Sequence, residues 1–460
     1  MLGRQRDLDR LQRDLAGWLQ QRLPEARDLE VSTLRTPKAG VSNETVLFEL
    51  DYRIGDLRRR ERLVTRLEPR DFLVFPSYDL ARQYDIMARL AASDVPVPRV
   101  RWLETDPAVL GSAFYIMDAV DGEIPPEVPS YHVHGWVHAA TPERRRRVWW
   151  NGLAMLARIH ALDWRALGLH FLGEPLSSRD AIDRQLAYWD AYLRLVCTDG
   201  PPQPMLDAAL AWLRANAYAP RRIALCWGDA RLPNLVFRDD HVAAVLDWEM
   251  AFLGDPEADV AWWCFLDWAN NEGYGGPHLE GIPGRAETLT RYAELSGHPL
   301  EHIHWNEVFA AFRYGVILGR VATRMRALGA SLPSDDWETN NVCTQALARL
   351  LDRPLPGETR PTTTVGRRDP AAPVRLQFRI AGPGGGAWYV VIAGEVATRH
   401  PGVIDAPDAT LEADVTDWAA IQSGALDRVR AFLDGKLRIQ GDLTLFMLHE
   451  ATIDRLGQET

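Results

Sequence analysis

The chain has 460 residues, of which 47% are hydrophobic and 25% charged, with a formal net charge of −11. Such a composition is typical of a folded globular protein, and this length suggests roughly three folding units. The acidic balance argues against a nucleic-acid or anionic-membrane partner held by a general positive field, although a local pocket for phosphates stays compatible with it. The four scattered cysteines are expected to be reduced core thiols. No signal peptide or membrane span is recognisable, so we expect a cytoplasmic protein.

The first 120 residues are predicted to be rich in β-strands. Hydrophobic residues from Leu8 to Leu19 recur at three- and four-residue steps, which predicts an opening helix that ends near Pro24. Alternating and apolar runs then predict further elements: strands over 41–50 and 62–67, a helix over 80–90, and strands over 95–103 and 113–120.

From residue 121 the pattern becomes helical. The segments with helical spacing are 148–161, 182–195, 206–216, 289–296, 306–328 and 339–351. A predicted hairpin, with strands at 235–237 and 242–246, interrupts them. Five prolines between Arg353 and Pro373 predict a linker. Residues 374–460 then read as a small α+β unit, with strands near 376–380, 388–392 and 411–415 and helices after Asp417 and Arg428.

Three polar side chains around the hairpin suggest a phosphotransfer site. Asp229 would accept the proton of an acceptor hydroxyl, whereas Asn234 and Asp247 would ligate Mg²⁺, a hard ion that prefers oxygen ligands. Arg231 lies two residues after the proposed base and is expected to reach the γ-phosphate. The hairpin is expected to carry Asp247 back over Asn234.

The run from Leu225 to Trp262 resembles the catalytic core of the aminoglycoside phosphotransferase and choline kinase-like family. That family's pattern is H-G-D-x-x-x-x-N, an apolar hairpin, I-D-W-E and G-D-P-x-x-D, and the last part here is Gly254 to Asp259. The motifs Gly40-Val41-Ser42-Asn43 and Val95-Pro96-Val97-Pro98 are similar to those of the branch found beside acyl-CoA dehydrogenases. The resemblance implies an α+β, two-lobed protein-kinase-like fold, with a nucleotide-binding lobe at 1–120 and a helical lobe at 121–352.

The same resemblance implies ATP and Mg²⁺ as cofactors and assigns the nucleotide-binding residues. Gly40, Ser42 and Asn43 would form the loop over the ATP phosphates, and Arg66 would contact the α- and β-phosphates. Asp118, Ala119 and Val120 would form the hinge that meets adenine through its backbone. Gln83 would occupy the position of the helix glutamate that normally pairs with the phosphate-binding cation.

Three residues depart from the family pattern. Trp227 replaces the usual histidine, Arg66 stands where many relatives have lysine, and Gln83 stands where glutamate is expected. Because arginine presents a rigid fork of donors, Arg66 needs less support from a carboxylate, and we interpret it with Gln83 as a compensated pair. We expect Trp227 to repack the loop, the alternative being a pseudokinase.

Other polar residues near the motifs have competing interpretations. Asp255 precedes Pro256 and is expected to cap a helix, and by resemblance Asp259 braces the loop that carries Asp229. Glu249 either assists the metal site or is an exposed charge. A second set of polar residues, in the loop after Pro125, is expected to face the acceptor rather than to bind metal: His132, His134 and His138.

The acceptor is predicted to be apolar. Aminoglycosides are polycations and need carboxylates, whereas Trp262, Trp263, Phe265 and Trp268 surround a single charged residue, Asp267; the alternative is that these aromatics are core. The tail resembles the sterol-carrier-protein fold, most specifically at residues 435–442, although it could serve only for docking or as the contact of a homodimer.

The working hypothesis is therefore an ATP- and Mg²⁺-dependent kinase for a hydroxyacyl-CoA, a sterol or a terpenoid alcohol. An aminoglycoside or other antibiotic kinase is the alternative enzyme, and a lipid-binding pseudokinase is the alternative without activity. No nucleic-acid partner is expected.

Overall fold

The structure is a computed structural model of the chain. It describes residues 6–36, 44–70, 74–127, 129–327, 332, 334–355, 373–394, 396–423, 426, 431, 436–441, 449 and 453. By its contacts the chain divides into two compact units, the first made of Gly3–Tyr192 and Ala209–Arg313 and the second chiefly of Leu193–Ala208 and Tyr314–Thr460. The predicted domain boundaries at residues 120, 352 and 373 stay predictions.

The amino-terminal part of the first unit is an antiparallel sheet that packs against helices. Its strands are β1 (Arg27–Val31), β2 (Glu44–Ile54), β3 (Leu57–Leu67), β4 (Val100–Glu104) and β5 (Phe114–Asp118), in the order β1-β2-β3-β5-β4. The helices are α1 (Leu8–Arg22), α2 (Leu80–Leu90) and the short α3 (Pro107–Leu110). The side chain of Asp7 caps α1 by accepting the N–H of Arg10. Trp18 of α1 shares a hydrophobic core with Phe48 and Phe114 of the sheet.

The remainder of the first unit is mainly helical. The helices are α4 (Gly135–Ala139), α5 (Pro142–Ala161), α6 (Ser178–Asp199), α7 (Pro204–Ala215), α8 (Glu257–Ala269), α9 (Arg285–Ser296) and α10 (Ile303–Ala327), of which α6, α7 and α10 contain residues of both units. Two short antiparallel pairs lie between α7 and α8: β6 (Ala224–Cys226) with β9 (Phe252–Gly254), and β7 (Leu235–Arg238) with β8 (His241–Val245).

The second unit contains a helix, α11 (Val342–Leu350), and a mixed sheet with its own core. The strands are β10 (Val374–Ala381), β11 (Gly386–Ala393), β12 (Val396–Pro401), β13 (Ala409–Asp414) and β14 (Leu437–Gly441), in the order β12-β11-β10-β13-β14, and α12 (Val415–Gln422) follows β13. Only β10 and β13 pair in parallel within this described sheet. Phe378 stacks on Trp388 at 3.7 Å between ring centroids.

The predicted α+β class is confirmed, and most predicted elements occur within a few residues of their expected bounds. The strand predicted over 95–103 is an exception because it begins only at Val100; Pro96 and Pro98 lack the N–H that a strand interior requires. The segment predicted to form a helix after Arg428 falls almost entirely outside the described residues. None of the helices in the described part of the chain is both long and apolar enough to cross a membrane.

Candidate active site

The segment Trp227 to Asn234, here called the Asp229 loop, connects β6 to β7. Gly228 permits the sharp turn, since its φ is +89° and a Cβ there would lie 2.0 Å from the carbonyl oxygen of Met250. A short 3₁₀ turn containing Pro233 then leads into the hairpin. The N–H of Leu246 donates to the carbonyl of Asn234 at 2.9 Å. The hairpin therefore returns the chain beside Asn234, and Asp247 is the next residue.

The carboxylate of Asp229 is oriented by three side chains. Oδ1 accepts the indole N–H of Trp262 at 2.8 Å, and Oδ2 accepts Nε of Arg231 at 2.8 Å and Nδ2 of Asn234 at 2.7 Å. The residue is 8% exposed. A nearly buried carboxylate whose orientation is fixed by hydrogen bonds is suited to receive a proton from one well-defined position.

The other predicted member of the loop, Arg231, bridges two acids. Its Nε contacts Asp229, and its Nη1 pairs with Glu127, which precedes α4. The sequence predicted that Arg231 reaches the γ-phosphate, and the geometry places its guanidinium directly beside the proposed base. Nothing in the sequence near Glu127 pointed to this pair, because the two residues are 104 positions apart.

Asp247 pairs with Arg66 across the site. Their closest nitrogen and oxygen atoms are 3.2 Å apart, and each side chain is 14% exposed. Burial works against the positive charge of Arg66, but the carboxylates of Asp247 and Glu249 outweigh it and raise the pKa of Arg66 above its ordinary value. Asp247 has a φ of +57°, a left-handed conformation that aspartate tolerates better than most residues.

Gln83 is buried in α2, but its recorded partner is not Arg66. The hydroxyl of Tyr115 donates to its Oε1 at 3.4 Å. Burial raises the pKa of Tyr115 to about 12, so this hydroxyl keeps its proton. Since Tyr115 lies opposite Arg66 in the β3–β5 register, Gln83 supports the strand beside Arg66.

The predicted adenine hinge follows β5. The N–H of Asp118 donates to the backbone carbonyl of Arg99, and the N–H of Ala119 donates to the backbone carbonyl of Arg62, each at 2.9 Å. The N–H of Val120 donates to no described residue. The remaining predicted nucleotide contacts, Gly40, Ser42 and Asn43, lie outside the described residues.

Asp259, on α8, is the main support of the Asp229 loop. Its carboxylate accepts the backbone N–H groups of Trp227 and Gly228 at 2.6 and 2.9 Å, and it is fully buried. His160 and Cys226 bring their ligand atoms within 4.8 Å of it and of one another. We interpret this cluster as structural, because the oxygens of Asp259 are already occupied by N–H donors. Asp255 caps α8, as expected, by accepting the N–H of Glu257.

Trp227 is also built into this scaffold. It is 1% exposed, and its indole N–H donates to the carbonyl of Leu246 at 2.8 Å and approaches that of Asp247 at 3.2 Å. The residue that departs from the family pattern thus ties the Asp229 loop to the segment carrying Asp247, as the repacking interpretation expected.

One supporting residue escaped the sequence analysis. Arg313 of α10 is 1% exposed, and its guanidinium lies 4.2 Å from the ring centroid of Trp262, the donor to Asp229. Burial lowers the pKa of Arg313 to about 10, against the opposing effect of Asp259 and Asp229, so it stays charged at neutral pH. An arginine in the middle of an otherwise apolar stretch of helix was the available signal.

A cleft adjoins Arg231, and we call it the Trp263 cleft. One wall is the face of α8 formed by Trp263, Leu266, Asp267 and Asn270, and the other contains Glu127, Tyr131 and Arg231. Trp263, named in the sequence as a core or acceptor-site residue, and Asp267, the charge among those aromatics, therefore line a small opening of about 20 Å³, whereas Trp262 contacts Asp229. His132 binds Asp267 at 2.7 Å, which supplies a carboxylate partner that sequence reasoning did not find.

The comparisons with known proteins agree with this arrangement. The pattern of the family described as "Phosphotransferase enzyme family" matches residues 33–295, which is more than half of the chain, and that of the "SCP-2 sterol transfer family" matches residues 364–454. A crystal structure of a Ralstonia eutropha JMP134 protein assigned as an aminoglycoside phosphotransferase superposes with a TM-score of 0.54 and 25% identity, covering 74% of this chain and 98% of that one.

The curated relatives that this chain matches are larger proteins. The Arabidopsis thaliana protein "Probable acyl-CoA dehydrogenase IBR3" is 31% identical over 307 residues, 62% of this chain and 35% of that protein. "Acyl-CoA dehydrogenase family member 10" of Mus musculus is 30% identical over 323 residues, 68% of this chain and 28% of that protein. The chain thus spans about a third of the length of these relatives. It belongs to the phosphotransferase enzyme family, with a kinase-like fold, and carries an SCP-2 domain after the phosphotransferase domain.

Proposed function

We propose that this chain is a kinase that transfers the γ-phosphoryl group of ATP, with Mg²⁺, to a hydroxyl of a lipid-like acceptor. The observation that carries the proposal is the carboxylate of Asp229, which three side chains orient beside a cleft with tryptophan in its wall. The SCP-2 match supports an acceptor of lipid character, and the branch of the family includes proteins named acyl-CoA dehydrogenases.

The side chains present fit a magnesium site. Asn234 uses its amide nitrogen to donate to Asp229, and its Oδ1 accepts no hydrogen bond from the described residues, so it is available as an oxygen ligand. Asp247 offers a carboxylate that pairs with Arg66 and with no other residue in the described part of the chain. When held by Asn234 and Asp247, Mg²⁺ would offset the negative charge of the phosphates.

In the proposed reaction the acceptor oxygen attacks the γ-phosphorus. The new O–P bond forms while the bond between the γ-phosphorus and the oxygen bridging to the β-phosphate breaks, and ADP leaves. Asp229 accepts the proton of the hydroxyl and passes it to solvent. Arg231, already in contact with Asp229, can turn to the transferred phosphoryl group, and Arg66 would neutralise the other phosphates.

A pseudokinase is disfavoured by the contacts of Trp227. The indole that stands in place of the usual histidine still ties the Asp229 loop to the carbonyls of Leu246 and Asp247, so this substitution preserves the proposed site. An antibiotic kinase has no specific observation in its favour, since the acids in the Trp263 cleft are paired with Arg231, Tyr131 and His132.

The test is a phosphorylation assay with purified protein, Mg²⁺-ATP and a panel of a hydroxyacyl-CoA, a sterol, a terpenoid alcohol and an aminoglycoside, with product detection by mass spectrometry. We expect one of the apolar alcohols to be phosphorylated, and Asp229→Asn to reduce kcat by about a hundredfold or more. Asp56→Asn, in the exposed β2–β3 turn, is the matched control. Turnover no faster than that of Asp229→Asn would refute the proposal.

A further inference from the structure

A second cavity in the first unit has a volume of about 270 Å³. Its walls come from Arg221 and Arg222, which precede β6, from the start of α8, and from α9 with the loop that follows it. We call it the Arg222 cavity. One water molecule needs only about 10–15 Å³ of such space, so a small organic molecule fits here.

The carboxylates that line the Arg222 cavity are already engaged by donors. Glu257 accepts two backbone N–H groups of the loop between α9 and α10, at 2.7 and 2.8 Å. Asp255 accepts the N–H of Glu257 and the hydroxyl of Tyr218. Glu301 pairs with Arg221. These acids therefore offer little to a cationic ligand.

Arg222 differs from Arg221 in having no acid partner. It is half-buried and pairs with no carboxylate in the described part of the chain. Its Nη1 donates to the carbonyl of His160 at 3.4 Å, and its Nη2 donates to the hydroxyl of Tyr292 at 3.5 Å. Both contacts are longer than the usual ~2.7–3.2 Å. Because a guanidinium presents a planar fork of donors, Arg222 can bind a carboxylate or a phosphate group.

Arg222 also begins a chain of hydrogen bonds that ends at the Asp229 loop. The hydroxyl of Tyr292 lies 2.7 Å from Nδ1 of His160, and Nε2 of His160 lies 3.1 Å from Oδ2 of Asp259. That oxygen also accepts the N–H of Trp227. Because a carboxylate only accepts, Nε2 carries a proton and the hydroxyl of Tyr292 can donate to Nδ1. All these donors point from the cavity toward Asp259.

We propose that the Arg222 cavity binds a small molecule bearing a carboxylate or phosphate group, and that this ligand stabilises the Asp229 loop through Tyr292 and His160. The anionic group pairs with Arg222, and the remainder of the molecule contacts Leu300, which lines the same cavity. A ligand that binds only the intact cavity makes local opening of the hydrogen-bond chain less frequent. The inference goes beyond the proposed function and does not depend on it, because neither part of its test requires turnover.

Binding is tested by calorimetric titration of the full chain with inorganic phosphate, glycerol 3-phosphate and citrate. We expect at least one probe to bind wild type, and Arg222→Gln to raise its Kd by about tenfold or more. Leu300→Trp fills the cavity without changing its charge and is expected to have the same effect. Arg184→Gln removes an exposed positive charge that pairs with Asp180 on α6, and it should change the Kd less than about threefold.

The probes also distinguish the two anionic groups. Binding of the two phosphate probes without citrate would assign a phosphate ligand, and the reverse would assign a carboxylate. The Tm of each variant without a probe shows whether it folds, and Leu300→Trp decides the test if Arg222→Gln does not fold. Absence of binding by every probe, or binding that a folded Arg222→Gln leaves unchanged, would overturn the proposal.

The effect on the loop is measured by hydrogen exchange and mass spectrometry of peptides that cover residues 224–231. At a saturating probe concentration, exchange in wild type should slow by about threefold or more, whereas peptides from β12 should not change. Tyr292→Phe lacks the hydroxyl that reaches His160, so it should bind the probe but lose the slowing. An unchanged exchange rate in wild type, or equal slowing in Tyr292→Phe, would overturn the stabilisation of the Asp229 loop.

Discussion

At the level of single residues, Trp227 supports the site through its indole, although the family pattern has a histidine at this position. Its N–H reaches two carbonyls at the start of the segment that carries Asp247. A change at this position therefore affects both halves of the proposed site, although the residue itself does not touch the reacting atoms.

Trp227→Phe is expected to lower stability by about 1–3 kcal/mol, because it leaves two buried carbonyls without their donor. Thermal unfolding measures the loss as a lower Tm, and kcat should fall because Asp247 is no longer fixed. The comparison is Trp212→Phe, because the indole N–H of Trp212 donates to none of the described residues, and the Tm of this variant should change less. An unchanged Tm for Trp227→Phe would contradict the scaffold role.

Arg313 acts on Asp229 through Trp262. Its guanidinium lies over the indole that donates to the carboxylate, and it remains charged despite burial. Arg313→Met should therefore reduce kcat by about tenfold while the KM for ATP stays nearly constant, since no nucleotide contact is lost. Arg313→Lys keeps the charge and should recover part of kcat. Equal loss in both variants, with a similar fall in Tm, would indicate a packing role only.

At the level of elements, the site depends on how α8 and α10 begin. Glu257, in the first turn of α8, accepts the N–H groups of Glu301 and His302 just before α10, at 2.7 and 2.8 Å. Burial, with a contribution from Asp255, raises the pKa of Glu257 to about 7. Because α8 carries Asp259 and α10 carries Arg313, this junction joins the two supports of the Asp229 loop.

The raised pKa of Glu257 predicts the sign of a pH effect on stability. The folded protein binds this proton more tightly than the unfolded chain, so the contribution of Glu257 to stability is complete below about pH 4.5 and is lost as pH rises through about 7. Glu257→Gln removes the titration. The Tm of the variant relative to wild type should therefore rise between pH 5 and pH 8, as measured by calorimetry, whereas a difference independent of pH would contradict the assignment.

Local patterns predicted the elements that carry the site, but not their contacts. The strand-like segments at 235–237 and 242–246 predicted the hairpin, which places Asp247 near Asn234. By contrast, Arg66 and Asp247 are 181 residues apart, and periodicity carries no information on such a pair. Gln83 and Arg66 were interpreted as a compensated pair, and only the fold reveals that Gln83 accepts a hydrogen bond from Tyr115.

Helix α8 illustrates the same limit. Its tryptophans gave two interpretations, core or acceptor site, and helical spacing could not separate them. In the fold, two neighbouring tryptophans differ in their surroundings. Trp262 donates to Asp229, whereas Trp263 lines the cleft. A helix buried on nearly every side has no polar face from which to read its orientation.

At the level of the whole molecule, the carboxy-terminal part has a hydrophobic core of its own. Among the described residues, its hydrophobic core is formed by side chains between Val374 and Ile453, and the SCP-2 match covers residues 364–454. In the proposed function this domain supplies or retains an apolar acceptor, and all the residues assigned to the chemistry lie in the phosphotransferase domain.

Removal of residues 374–460 is therefore expected to raise the KM for a long-chain acceptor several-fold and to leave kcat/KM for a short alcohol such as octanol nearly unchanged. The physical reason is that a long acceptor is poorly soluble and gains from a nearby apolar surface, whereas a short one reaches the Trp263 cleft from solution. Steady-state kinetics on the full and shortened chains measure both values. Equal increases for the two acceptors would mean that truncation damages the phosphotransferase domain. An unchanged KM for both, together with a halved mass in sedimentation, would instead assign the domain to dimerisation.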